Sequence, residues 1–108
     1  MTAKTRLCQV GGLAEGEPQL IETDGGLSLA VFLAGGEVFV TDAMCTHGLA
    51  VLTDGYQEDF VIECPLHGGS FDIRTGAALT APCEIAVKTY PVSIDDGWVT
   101  VAEHEEEA

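Results

Sequence analysis

Two short segments of this 108-residue chain each combine a cysteine with a histidine. The first reads Cys45-Thr46-His47-Gly48, the second reads Cys64-Pro65-Leu66-His67-Gly68-Gly69, and 16 residues (48–63) separate them. Thiolate and imidazole ligands favour zinc or an iron–sulfur centre, whereas calcium and magnesium prefer oxygen ligands. Two of the three histidines in the chain lie in these segments. The pattern therefore indicates a fold that must bring both segments to one metal centre.

The order of the ligands separates two kinds of metal centre. Classical structural zinc sites pair cysteine with cysteine and histidine with histidine along the chain. Here each segment supplies one cysteine and one histidine. This arrangement suits a binuclear iron centre in which two histidines replace two cysteines on one of the irons. The favoured interpretation is one [2Fe–2S] cluster held by Cys45, His47, Cys64 and His67. A mononuclear zinc site in an interaction module is the alternative, and a Cys64–His67 thiol hydrolase would leave the first segment unexplained.

The rest of the chain predicts an all-β fold of short antiparallel strands in one domain, residues 1–108. Runs rich in β-branched and aromatic residues predict strands at 27–33, 37–41, 60–63, 85–90, 92–94 and 98–101. Gly35-Gly36 and Asp96-Gly97 predict tight hairpin turns, which need positive φ. The only helical turn considered falls within Leu13–Glu17. We expect a β-sandwich or partly open barrel whose two metal-binding loops lie at about 43–53 and 64–72.

The charge balance limits the possible partners. Four basic residues face 18 acidic ones, giving a formal net charge of −14. Such a chain is a poor match for nucleic acid or an anionic membrane surface, because both need clustered lysine and arginine. The negative charge either serves solubility alone or steers the protein toward basic surfaces on other proteins. No apolar run is long enough to span a bilayer, and no secretory signal is recognisable, so a cytoplasmic location is expected.

Three further residues outside the two metal-binding segments are interpreted as ordinary core. Cys8 and Cys83 match neither metal-binding segment, and a reducing cytosol disfavours their pairing as a disulfide. We predict that both are small buried side chains. Met44 directly precedes the first cysteine, and we predict that it packs in the core.

The two Cys/His segments resemble the paired cluster-binding loops of Rieske proteins. Gly69-Ser70-Phe71-Asp72, Pro82 and Tyr90-Pro91-Val92 resemble other parts of the same domain. In length, the chain is similar to the free-standing ferredoxins of bacterial aromatic ring-hydroxylating dioxygenase systems. The resemblance implies a Rieske-type β-sandwich and a soluble one-electron carrier that is not itself an enzyme.

The same resemblance implies the ligand assignment and the partners. Cys45 and Cys64 would bind one iron of the cluster, and His47 and His67 would bind the outer iron. A flavin-dependent reductase would supply electrons from NADH, and a terminal Rieske oxygenase would receive them from a monomeric carrier. The small Rieske subunit of a nitrite-reductase-type complex is the alternative function.

Two departures from high-potential Rieske proteins imply a low reduction potential. Those relatives have an additional cysteine in each loop, joined as a disulfide, where this chain has Ala50 and Leu66. They also place Ser and Tyr hydroxyls where this chain has Gly69 and Phe71. Because hydrogen bonds to the cluster sulfurs raise the potential, their loss predicts a value of about −150 mV.

Overall fold

Short strands dominate the computed structural model, which describes residues 4–23, 26–44, 50–65, 69–81 and 85–102. Within these residues the chain forms 3₁₀ turns at Val10–Gly12 and Leu52–Asp54. It forms eleven strands: β1 Lys4–Gln9, β2 Gln19–Glu22, β3 Ser28–Ala34, β4 Glu37–Asp42, β5 Tyr56–Glu58, β6 Val61–Glu63, β7 Ser70–Asp72, β8 Ala78–Thr80, β9 Thr89–Tyr90, β10 Val92–Asp95 and β11 Trp98–Ala102. The all-β prediction is confirmed.

The strands form three antiparallel sheets. One has the order β1-β11-β10, the second β2-β3-β4-β9 and the third β5-β6-β7-β8. Neighbouring strands in each sheet pair in antiparallel register. No helix in the described ranges is long and apolar enough to cross a membrane.

Strand β3 lies between two hydrophobic cores. Leu29 and Val31 point into a core shared with the first sheet, where Leu7, Val99 and Val101 are buried. Alternate residues of β3 point the other way, into a core shared with the third sheet. These are Ala30, Phe32 and Ala34. Because successive side chains on a strand face opposite sides, burial on both sides explains why β3 is a nearly continuous apolar run.

Both predicted hairpins are present. Gly35 and Gly36 have φ of 61° and 81°, and they join β3 to β4. Asp96 and Gly97 have φ of 54° and 82°, and they join β10 to β11. Two consecutive positive φ values are the mark of the type I′ turn, whose twist matches that of the flanking strands.

The strand predicted over residues 85–90 is mostly wrong. Only Thr89–Tyr90 form a strand, paired with β4. Ile85 is 67% exposed, so the apolar run does not continue a buried face. The backbone before this strand bonds elsewhere, because the Val87 N–H donates to the Gly76 carbonyl.

Two smaller predictions also need correction. The helical turn considered within Leu13–Glu17 is absent, since Ala14 and Glu17 form an isolated β-bridge. The helical turn lies earlier, at Val10–Gly12. The second loop, predicted at about 64–72, is shorter than expected because its last three residues form β7.

Candidate metal centre

The structure describes one of the four predicted ligands. Cys64 directly follows β6, and its side chain is buried with 2% exposure. Cys45, His47 and His67 lie outside the described residues, as do Pro82 and Cys83. Within the described part, no three His, Cys, Asp or Glu side chains are grouped so as to hold a metal ion. The described part of the site therefore consists of Cys64 and the backbone at the base of each loop.

The base of the first loop is closed by backbone pairing. The Ala43 N–H donates to the Ser28 carbonyl at 2.9 Å, which extends β4 toward the loop. The Leu52 N–H then donates to the Ala43 carbonyl at 2.7 Å, and Met44 pairs with Val51 in an isolated bridge. The two ends of the segment that contains Cys45 and His47 therefore lie side by side.

The base of the second loop is closed in the same manner. Strands β6 and β7 pair with Glu63 opposite Ser70. Next along the chain, the Cys64 N–H donates to the Gly69 carbonyl at 2.6 Å. Cys64 is thus the last residue fixed by the hairpin before the segment that contains His67.

The bases of the two loops share one core. Cys64 belongs to the same buried cluster as Ala43, Ala50 and Leu52, which flank the first loop. A Cβ placed on Gly55 would overlap the carbonyl oxygen of Glu63, so the backbone after the first loop packs directly on the backbone before Cys64. The fold therefore brings the bases of the two Cys/His loops into contact.

The surroundings of Cys64 fit a thiolate-bound iron–sulfur cluster. Its side chain lies in an apolar cluster with Phe71 and Ile73, which are at most 1% exposed. The small residues Ala43 and Ala50 border the same region. Sulfur ligands in an apolar shell suit a soft metal centre whose potential depends on exclusion of water.

Two side-chain hydrogen bonds hold the segments next to the loops, and neither bond is predictable from the sequence pattern. The Tyr90 hydroxyl donates to Asp42 Oδ1 at 2.6 Å, beside the entry to the first loop. Ser70 Oγ donates to Thr80 Oγ1 at 2.8 Å, beside the exit from the second. Tyrosine, aspartate, serine and threonine are common throughout strands, so only the register reveals these pairs.

Asp72, the last residue of β7, forms an ion pair with Arg74. Arg74 Nη2 lies 3.0 Å from Asp72 Oδ2, and Arg74 Nε donates to Asp72 Oδ1 at 3.1 Å. Hydrogen bonds from Arg74 hold the pKa of Asp72 below its ordinary value of 3.8. The guanidinium also lies 4.5 Å from the centre of the Phe60 ring.

Two predictions about the neighbouring residues have different outcomes. Met44 is 41% exposed, so its prediction as core is wrong; its backbone pairs with Val51 at the base of the first loop. Cys8 lies in β1, is partly buried and forms no disulfide. Burial raises the pKa of its thiol. Cys8 packs against the core shared by the other two sheets, consistent with a residue that is not a ligand.

Comparison with known proteins places this geometry in a family. The Rieske [2Fe–2S] domain matches residues 3–91. The ferredoxin component of the p-cumate 2,3-dioxygenase system of Pseudomonas putida is 39% identical over 102 residues, which cover 94% of this chain and 86% of the relative. A ferredoxin structure from Sphingomonas yanoikuyae B1 is 57% identical with a TM-score of 0.92, covering 94% of this chain and 100% of the other.

Two further structures extend the comparison. A complex of reduced oxygenase and oxidized ferredoxin in carbazole 1,9a-dioxygenase contains a chain 31% identical to this one. Its TM-score is 0.89, and the match covers 97% of both chains. A nitrite reductase small subunit from Mycobacterium tuberculosis is 21% identical with a TM-score of 0.84, covering 98% and 99% of the two chains, and this likeness shows the fold alone. With the family match and the paired loop bases in agreement, the chain belongs to the Rieske [2Fe–2S] domain family.

Proposed function

We propose that this chain is the ferredoxin component of an aromatic ring-hydroxylating dioxygenase system. It is a one-electron carrier with one [2Fe–2S] cluster, and it is not itself an enzyme. The observation that carries the proposal is the convergence of two Cys/His loops at one buried base, in a chain 39% identical to a dioxygenase ferredoxin.

Within this proposal, four residues of one domain spanning 1–108 hold the cluster. Cys45 and Cys64 bind one iron, and His47 and His67 bind the other. The cluster supplies a one-electron ferric–ferrous couple when bound. The chain contributes the burial of Cys64 and the two closed loop bases, which hold the ligand-bearing segments in place and keep water from the inner side.

The low reduction potential inferred from the sequence stays a prediction. Phe71 is fully buried in the same hydrophobic core as Cys64. Its ring has no hydroxyl that could donate a hydrogen bond to a cluster sulfur. Gly69 likewise offers no side-chain donor. Both features support a potential near the low end of the Rieske range, about −150 mV.

The partners follow from the same proposal. A terminal oxygenase receives the electron, as in the oxygenase–ferredoxin complex of carbazole 1,9a-dioxygenase. A flavin-dependent reductase using NADH supplies it. The carrier is a cytoplasmic monomer that docks transiently and binds neither nucleic acid nor membrane, consistent with a net charge of −14.

The competing function is the small subunit of a nitrite-reductase-type complex. Its support is a shared fold at 21% and 23% identity, whereas the dioxygenase ferredoxins reach 39% and higher. A permanent subunit would elute with its large partner, while the proposed carrier elutes alone in gel filtration. A zinc module would be colourless, whereas an iron–sulfur protein absorbs visible light.

The proposal is tested with purified holoprotein, a candidate flavin reductase and NADH. We expect the visible absorbance to bleach on reduction by a limiting amount of NADH and to return when a terminal oxygenase, its aromatic substrate and dioxygen are added. Cys64→Ser should abolish both changes, and Cys8→Ser serves as the matched control that retains them. Holoprotein that reductases reduce but that never passes an electron to any ring-hydroxylating oxygenase would contradict the proposal.

A further inference from the structure

Two hydroxyl groups face each other across the strands that follow the second loop. Ser70 Oγ donates to Thr80 Oγ1 at 2.8 Å, and the two residues are direct partners in the β7–β8 register. The register shifts between Ser70 and Phe71, so the ladder is irregular next to this pair. Where the backbone pairing of two strands is irregular, a hydrogen bond between side chains on the two strands helps to keep them together.

Ser70 also lies at the exit of the second loop. The preceding residue, Gly69, accepts the N–H of Cys64 at 2.6 Å through its carbonyl oxygen, and Ser70 itself pairs with Glu63 on β6. Ser70 is only 7% exposed, so water has little access to its hydroxyl. A buried hydroxyl that loses its partner is costly, which favours the conformation that keeps Thr80 within reach.

We propose that Ser70 and Thr80 are a positioning pair for the second cluster-binding loop. Their bond fixes the exit of the loop against the end of β8, and the Gly69 carbonyl passes this constraint to the backbone of Cys64. Neither hydroxyl is a ligand. The pair acts by holding the backbone at Cys64 in the position that binds iron, and this inference rests on the ligand role proposed above for Cys64.

A purely structural role is the competing explanation, and the chain offers a matched control for it. Thr100 Oγ1 donates to the Ser93 carbonyl at 3.0 Å, and Thr100 is 3% exposed. This bond joins β11 to β10, in a sheet that carries neither cluster loop. Thr100→Val therefore removes a buried hydroxyl bond without touching the loops.

The experiment compares holoproteins carrying Ser70→Ala, Thr80→Val, both substitutions, Thr80→Ser or Thr100→Val. The first readout is the rate at which visible absorbance is lost in excess iron chelator, under conditions where every variant is folded. The second is the electron paramagnetic resonance spectrum of the reduced cluster. We expect Ser70→Ala and Thr80→Val each to accelerate cluster loss about 2- to 10-fold, the usual worth of one hydrogen bond.

The control variants sharpen this expectation. The double variant should lose its cluster no faster than either single variant, because one bond is removed in all three. Thr80→Ser keeps the hydroxyl and should behave like the wild type. Thr100→Val should lower the urea midpoint without accelerating cluster loss, and only Ser70→Ala, Thr80→Val and their double variant should shift the g values of the reduced cluster.

Three results would overturn the inference: unchanged loss rates in both single variants, multiplied effects in the double variant, or equal acceleration by Thr100→Val. If Ser70→Ala does not fold, the exposed Thr80 still provides the test through its Val and Ser variants. A wild-type protein that cannot bind the cluster would instead overturn the proposed function. A normal wild-type cluster with unaffected variants would overturn only the positioning role.

Discussion

At the scale of single residues, Gly55 is the position where the two loop bases have the least space. It ends the 3₁₀ turn after the first loop, and a Cβ there would overlap the Glu63 carbonyl oxygen beside Cys64. Its φ of −88° is ordinary for any residue, so the need for glycine here comes from close packing and not from backbone conformation.

We expect Gly55→Ala to separate the two loop bases. Overpacking of this kind costs about 1–3 kcal/mol of unfolding free energy, which urea denaturation of the holoprotein would measure. Gly11→Ala is the control, because nothing lies within 4 Å of its added Cβ. Its effect should stay within about 0.5 kcal/mol. Equal stability of Gly55→Ala and the wild type would mean that this close contact does not constrain the site.

The Asp72–Arg74 pair predicts a pH dependence whose sign follows from the lowered pKa of Asp72. A carboxylate with a lowered folded-state pKa adds stability above its unfolded pKa, near 3.8, and loses it as the pH falls through the lower folded value. The pair is partly exposed, so solvent screening keeps the effect small.

Asp72→Asn should therefore be less stable than the wild type at neutral pH, and the difference should shrink as the pH falls below about 3.8. Urea midpoints measured across the acid range would show this. A double-mutant cycle with Arg74→Gln isolates the pair and should show coupling at neutral pH only. Coupling that persists unchanged in strong acid would rule out the ion pair as its source.

At the scale of secondary-structure elements, the two type I′ turns set the register of the strands that they join. Asp96 adopts φ of 54°, a region that costs a β-branched residue much more than it costs Asp or Asn. Its neighbour Asp95 is an exposed strand residue that pairs with Trp98. Position 96 therefore requires a positive φ, which valine disfavours, whereas position 95 requires an extended backbone, which valine favours.

Asp96→Val should lower the unfolding free energy by about 1–2 kcal/mol, because valine is strained at positive φ. Asp95→Val should change it by no more than about 0.5 kcal/mol, because valine suits an extended strand. Urea denaturation of both variants makes the comparison. Similar losses at both positions would show that the charge, and not the turn conformation, determines the effect.

The elements also show which parts of the fold were predictable. Strands β3, β4 and β11 have enough apolar residues for a pattern to be recognised, and Gly35-Gly36 and Asp96-Gly97 indicated the hairpin turns. Strands β5, β7 and β8 have three residues each, among them Tyr56-Gln57-Glu58 and Ser70-Phe71-Asp72. Three residues are too few to establish an alternation, so only pairing with neighbouring strands identifies them.

The site was predictable to a different degree. The ligand types and their spacing indicated two converging loops, and the structure brings the loop bases together around Cys64. The Ser70–Thr80 and Tyr90–Asp42 bonds depend on register between strands that are distant in sequence. One-residue changes in register would separate these partners, so the sequence pattern could not predict them.

At the scale of the whole molecule, three of the four basic side chains lie close to aromatic rings. Arg6 lies 5.3 Å from the Trp98 ring centre, Arg74 lies 4.5 Å from Phe60, and Lys88 lies 5.0 Å from Tyr90. Such placement restrains these cations locally, while the acidic residues outnumber them and give a net charge of −14. The molecule as a whole therefore presents a strongly negative field to a partner.

This field should govern the rate at which the protein meets a basic docking surface. We expect the second-order rate constant for electron transfer to the oxygenase to fall about 10-fold or more between low and high salt. Stopped-flow measurement with a small neutral oxidant is the control, and its rate should barely change. A transfer rate that is independent of ionic strength would show that electrostatic steering plays no part.

In the proposed function, one cluster holds two irons with different ligands, two thiolates on one iron and two imidazoles on the other. Electron–nuclear double resonance on the reduced protein, with histidine labelled with ¹⁵N, tests this directly. We expect two iron atoms per chain and coupling to two histidine nitrogens, with His67→Cys abolishing one of them. An iron–sulfur signal with no histidine nitrogen coupling, or a bound metal that is not iron, would contradict the account.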